Sequence, residues 1–567
     1  MRRTHSLYGV LFTVVSCVTA HADNLAELGT EFWQWREIEQ PFSTDDIPRI
    51  ERPEGYTVDW SAKVIAQRLV ELAAFEQRWQ NLNPAPDTPI ANQVDYRLLG
   101  SAIARIRWEL AITESWRRNP SFYVDQTIGS VFALLLQPAP FTEARQVAII
   151  ARLRTIPKTL LDSHANLTDI RRPFATLTVE ALERIDQRLT QTVIALAPHF
   201  TEPNRRALQA VVPAVSAALV SYRNWVTSKV PRARPDTAIG LENYLFFLRN
   251  VALIPYTPEQ LLDMSDQEWS RAVAFESYQR ERLLGTPAAT IFTNADAQIA
   301  GERIEEQKIR EYLTSQHILS VPEGVHHYRN LLTPDYLQPL ADFGETDDLT
   351  SATRLDEDGI SYIQAPTPHL GFFRLSTAQD PRPIIVHEGV PGHYFQLCMG
   401  WSHPDVLRRH YYDSGANEGI GFYAEEMMLQ AGLFDDNPRT RETIYSFMRL
   451  RALRVAVDVR LALGFYTLQQ AADYLESTVP VDKKTALSEA AFFASSPGQA
   501  ISYQIGKIQI TKFLSDTKRA KGERMSLLEF NNYLWSNGNV PISLQRWESL
   551  GDPSEVPPLP ATKHVAP

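Results

Sequence analysis

A mainly α, large two-lobed helical fold with a small β element is predicted by three features of the 567-residue sequence. Apolar residues recur at helical spacing, as in Ile65, Leu69, Leu72 and Trp79 and again in Leu182, Ile185, Leu189, Val193 and Leu196. Helix starts carry a Thr or Ser three residues before a Gln or Glu. Strand-like runs are confined to about residues 360–386. The composition, 44% hydrophobic and 22% charged, excludes a disordered or fibrous chain. A net charge of −11 with no block of basic residues speaks against nucleic acid as a partner.

The chain opens with Met1-Arg2-Arg3, an apolar run from Leu7 to Ala20, and Ala20-His21-Ala22. These are the parts of a signal peptide spanning residues 1–22, cut before Asp23, so the protein is expected to be exported, periplasmic or secreted. The alternative is a lipid anchor at Cys17, because Val14-Val15-Ser16-Cys17 resembles a lipoprotein processing box. The apolar run is shorter than the ~20 residues of a bilayer span, and no transmembrane span is expected. Without Cys17 the mature chain keeps Cys398 alone and can form no intramolecular disulfide. The apolar neighbours of Cys398, from Tyr394 to Met399, make it a buried packing residue.

An N-terminal helical lobe, 23–235, is expected to end at the Pro- and Arg-rich break from Lys229 to Pro235. A C-terminal metal-binding, catalytic lobe follows over 236–551, with Thr257 and Gln260, Ser265 and Glu268, and Thr467 and Gln470 marking helix starts. Within it, Gly359–Ile363 and Gly371–Leu375 read as short strands, the second an edge on which an extended peptide would lie. Residues 552–567 read as an extended tail.

The chemistry lies in Val386-His387-Glu388-Gly389-Val390-Pro391-Gly392-His393. Two imidazoles and an unligated carboxylate are what a zinc hydrolase needs, the carboxylate taking the proton of the activated water. A spacing of six turns the second His by about 240° on an ideal helix, away from the first. Gly389, Pro391 and Gly392 permit a bulged or restarted helix that returns His393 to His387. A third ligand is expected from Asn417-Glu418-Gly419-Ile420-Gly421-Phe422-Tyr423-Ala424-Glu425-Glu426, with Glu418 first choice. Glu425, two turns on, shares its face and suits an acceptor for a ligand imidazole, while Glu426 reads as a solvated position.

At these segments the sequence resembles the bacterial domain-of-unknown-function 885 family. The resemblance is carried by His387-Glu388-x-x-Pro391-Gly392-His393 followed by Gln396, by Glu418-Gly419 with Tyr423 and Glu425, and by Pro497-Gly498-Gln499-Ala500 with Tyr503 and Gly506. It implies a largely helical, zincin-like fold akin to metallocarboxypeptidases and dipeptidases, and an exported or lipid-anchored protein. Gln396, Gln499 and Glu425 are then expected to support the ligands or the substrate. Two departures stand out: Ile420 replaces an aromatic residue of the pattern, and Ala462 replaces a His found in many members.

The implied enzyme is a zinc metallopeptidase, one zinc per chain on His387, His393 and Glu418, acting on short peptides with Glu388 as general base. Tyr503 or Tyr423 would donate to the oxyanion. Arg449, Arg451, Arg454 and Arg460 offer a fork for a substrate carboxylate, although Arg454 and Asp458 stand one turn apart and could pair. The alternatives are hydrolysis of a non-peptide amide, or a catalytically silent helical binding protein that keeps the fold.

Overall fold

The computed structural model describes residues 24–43, 51–53 and 55–559. The signal and lipidation readings on residues 1–22 lie outside that range, as do tail residues 560–567. Helix dominates the described chain, and no helix in it is long and apolar enough to cross a membrane.

The largest group of buried apolar side chains is drawn from the helices between residue 24 and Lys229. It also takes in Leu337, Leu340, Tyr362, Leu407, Val540 and Leu544 from later in the chain. The break after Lys229 is a single 3-10 turn, Val230–Arg232. A second apolar group surrounds Ile385, Val386, Phe395, Ile420 and Phe422, so the residues flanking the histidines and Glu418 share one core.

Two predicted helix starts are reciprocal caps: Thr257 accepts from the N–H of Gln260, whose amide oxygen accepts from the Thr257 N–H, and Thr467 does the same with Gln470. Ser265 is not a start. It lies inside the helix Pro258–Arg282, and its hydroxyl donates to the Ala452 carbonyl at 2.7 Å, fastening that helix to Pro438–Leu463.

The three strands β1 (Tyr328–Leu332), β2 (Asp347–Asp348) and β3 (Gly359–Ile363) form one sheet in the order β1-β3-β2. The predicted strand 359–363 is thus central, parallel to β1 from Tyr328 opposite Gly359 and antiparallel to β2. The second predicted strand is a helix, Phe372–Gln379, and offers no edge for a peptide. Phe372 and Phe373 both pack on Phe447, with ring centres 5.4 and 5.5 Å away. Ser376 and Thr377 hydroxyls bond back four residues to the carbonyls of Phe372 and Phe373.

The tail, where described, is strapped to the body. Asp552 pairs with Arg546, Tyr256 donates to Glu555, and Arg97 donates to the Pro557 carbonyl at 2.7 Å.

Candidate metal centre

The helix carrying His387 leaves α geometry at Ile385–Gly389, where the turn widens to π form and the Val390 N–H reaches back to the Ile385 carbonyl. After a cis Val390–Pro391 bond the chain restarts as the helix His393–Trp401. Gly392 is required at the join, since a Cβ there would lie 1.8 Å from the His387 carbonyl oxygen. Trp535 fixes the far side by donating to the Pro391 carbonyl at 2.7 Å. The restart brings the imidazoles together, with ring centres 4.7 Å apart at 74°.

Glu418 comes from the helix Ser414–Ala431, whose N-terminus is capped by Asp413 accepting from Ala416 N–H. This helix crosses Ile501–Lys521 at backbone contact: a Cβ on Gly419 would sit 2.7 Å from Gly506, and one on Gly506 2.1 Å from the Gly415 carbonyl. A Cβ at Gly421 would stand 3.0 Å from both imidazole Cε1 atoms, so that glycine lets the rings lie against the helix. Glu418 Oε2 is 3.4 Å from His387 Nε2 and 3.2 Å from His393 Nε2.

All three side chains are buried. Burial would raise the Glu418 pKa, but the two imidazoles hold it well below the usual carboxylate range. Burial and the Arg451 charge disfavour a proton on His387, yet Glu418 and Glu425 push its pKa up to about 9. The cradle therefore favours positive charge at this point.

Glu425 lies 2.6 Å from His387 Nδ1 and 2.8 Å from Arg451, so it orients one imidazole and is itself held by a guanidinium. Tyr503 lies nearly parallel to the His387 ring, with centres 6.4 Å apart. Arg454 sits over the Tyr503 ring at 4.5 Å and grips Glu489 with two bonds of 2.6 and 2.7 Å. It does not pair with Asp458, which instead accepts from the N–H groups of Gly498 and Ala500. A cleft of about 840 Å³ opens onto His387, Glu388, His393, Glu418, Arg454 and Tyr503.

Other predicted residues lie elsewhere. Tyr423 is buried against Trp535 with its hydroxyl toward Asn531, away from the cleft. Gln396 bridges Asn417 and the Gly538 carbonyl, steadying the neighbour of Glu418. Gln499 lines a separate cavity. Glu426 is an ion-pair partner of Arg271 and Lys507, not a solvated position, and their charges outweigh burial to bring its pKa down to about 2. Ile420 and Ala462 are buried in apolar groups and do not line the cleft. Arg451 was one of four candidate arginines. A glycine three residues after Glu418, Gly421, is a sequence signal for close approach, whereas Glu489 carries no such local signal.

His387, Glu388 and His393 form a group that could hold a metal ion, one ligand atom from each lying within 4.8 Å of the others. Glu418 lies closer still, since Glu388 stands 4.0 and 3.8 Å from the same nitrogens. The donor set suits zinc: bonds of about 2.05 Å in a tetrahedron put ligand atoms roughly 3.3 Å apart, the spacing Glu418 keeps from each imidazole.

Fold and site thus define a mainly α-helical protein with a buried His and Glu cluster of metal-ligand character at the floor of a cleft. The chain belongs to the family described as "Bacterial protein of unknown function (DUF885)", which it matches over residues 49–547. No curated protein matches it. Two solved structures share the fold over 94% of this chain and 98% of theirs. One, from Shewanella oneidensis and named a "putative lipoprotein of unknown function", is 17% identical with a TM-score of 0.67. The other, named a "putative lipoprotein" from Colwellia psychrerythraea, is 16% identical with a TM-score of 0.71.

Proposed function

We propose that the protein is an exported zinc-dependent peptidase that hydrolyses amide bonds of short peptides. The observation that carries this reading is the convergence of His387, His393 and Glu418, the carboxylate at zinc-ligand spacing from each imidazole, with Glu388 beside them on the cleft side. Glu418 is assigned as the third ligand because it is nearer and buried, whereas Glu388 is 23% exposed to the cleft. Zinc held there would supply Lewis acidity, activating water near neutral pH and polarising the scissile carbonyl.

The chain's own residues do the rest. Glu388 accepts the proton of the attacking water at a carboxylate oxygen and returns it to the leaving amine. Glu425 holds His387 in the tautomer that presents Nε2. Tyr503, which lines the cleft with its ring nearly parallel to His387 and Arg454 over it, is assigned as donor to the oxyanion. The cleft suits an extended peptide of a few residues better than a folded protein. Export proceeds by cleavage before Asp23 or by lipidation at Cys17. The naming of both structural neighbours supports the second route.

Metal content of the purified chain, measured beside His393→Ala, tests the reading. About one zinc per wild-type chain and none in the variant are expected. Glu388→Gln should keep the metal and lose about 10²–10⁴-fold in peptide hydrolysis. Absence of zinc after reconstitution, or full activity of Glu388→Gln, would overturn it.

A further inference from the structure

A second cavity, about 310 Å³, adjoins the metal cleft and shares Asn119, Asp125 and Ser495 with it. Its size is at the small end of ligand pockets, which run ~300–1,000 Å³. Its walls are aromatic, among them Trp33, Trp108, Trp116, Phe247, Trp401 and Tyr411.

The backbone around it is irregular in a particular way. Four π-helical segments occur among the described residues. Three of them, Trp108–Thr113, Asp125–Gly129 and Phe247–Val251, contribute to this wall, and the fourth carries His387. π turns widen the helix at the cost of regular bonding and concentrate at functional sites. Glu114, immediately after the first of them, adds a left-handed residue at φ 46°.

The charges decide what the cavity takes. Arg36 is paired with Glu109 at 2.7 Å, and Arg409 donates to the carbonyls of His403 and Pro404. His410 faces Glu37 at 3.7 Å, and Arg105 faces Asp413 at 3.9 Å. Asp125 alone among the charged groups of the wall has no hydrogen bond or ion pair from its side chain to a described residue. Asp125 is half-buried, and desolvation pushes its carboxyl well above the ordinary value. It lines both cavities, where the two meet.

We propose that this cavity binds an aromatic residue bearing a free amino group, its ring among the indoles and its ammonium at Asp125. An ammonium supplies the charge the carboxyl lacks, in a setting of low dielectric where such a bond is strong. The indole faces add attraction for the same cation. The inference rests on the peptidase reading only in identifying the amine as the amino terminus of a peptide, whose first amide bond would then point from that junction toward Glu388. Occupancy itself needs no metal.

The test is calorimetric titration of the chelator-treated mature chain with phenethylamine, with phenylpropionate and benzyl alcohol as the anionic and neutral comparisons. Saturable binding of phenethylamine, at least tenfold tighter than phenylpropionate, is expected, and this needs no variant. Asp125→Asn should weaken phenethylamine at least tenfold and leave benzyl alcohol unchanged, while Ser115→Trp, which fills the cavity, should weaken both. Preference for phenylpropionate would mean that the arginines govern the site. That result, no binding at all, or equal phenethylamine affinity in Asp125→Asn would overturn the proposal. Because the measurement is made without metal, a missing zinc site would leave its outcome readable.

Discussion

At the metal cleft, charge is buried and answered: Glu418 by two imidazoles, Glu425 by His387 and Arg451, and Glu426 by Arg271 and Lys507. Buried polar atoms without a hydrogen-bond partner among the described residues occur at both sites, His393 Nδ1 being one at the cleft, but the aromatic cavity gathers neutral ones. There the indole nitrogens of Trp33 and Trp401, the Gln499 amide nitrogen and the Asn539 amide oxygen have no hydrogen-bond partner among the described residues. The difference teaches that one fold can make two kinds of interior side by side. The first is set by backbone proximity and charge balance, the second by the bulk of rings around space.

Four substitutions sharpen that contrast, from the largest expected effect to the smallest. Gly392→Ala should abolish the folded metal centre, because its Cβ meets backbone that has nowhere to go; a loss of more than about 4 kcal/mol in denaturant melts, with no zinc retained, is expected. Glu425→Gln should leave the fold intact and reduce zinc affinity about 10–100-fold in competition with a chelator. An unchanged affinity would show that the carboxylate does not govern the imidazole.

Glu426→Gln should cost about 3 kcal/mol at pH 7, since the native pKa of about 2 lies below the ordinary 4.5. The sign is that of a depressed carboxylate: the stabilisation is complete above pH 4.5 and fades as pH falls toward 2. Urea melts of variant and wild type should therefore converge at low pH. In the aromatic cavity, Trp401→Phe removes an N–H that has no partner among the described residues and should change stability by less than about 1 kcal/mol. A large loss there would mean that the indole nitrogen is engaged after all.

The metal segment was legible because its residue types announce both the chemistry and the backbone exception. Gly389, Pro391 and Gly392 forecast a restart, and the restart closes a spacing of six. The capping boxes at Thr257 and Thr467 were legible because a cap is a local contract between neighbours. Misreadings arose where partners are distant. Ser265 bonds Ala452, Arg454 grips Glu489, and Glu426 meets Arg271 and Lys507, none of which spacing along the chain can show. The run from Gly371 to Leu375 was short enough to read as strand, and Phe447 settled it as helix by giving both phenylalanines one place to pack. The aromatic cavity was invisible for a simpler reason: its wall is gathered from Phe32 to Asn539, and π turns carry no signature in residue order.

The glycine crossing of Ser414–Ala431 with Ile501–Lys521 has a consequence for how the protein can change. Glu418 sits between Gly415 and Gly419, where main chain rests on main chain with no side chains interposed. The reach of that carboxylate toward the imidazoles is therefore gauged against the peptide framework itself. Side chains lining the cleft can be exchanged, and the taste for substrate altered, without resetting the gauge. A single methyl group at Gly506 would move it at once.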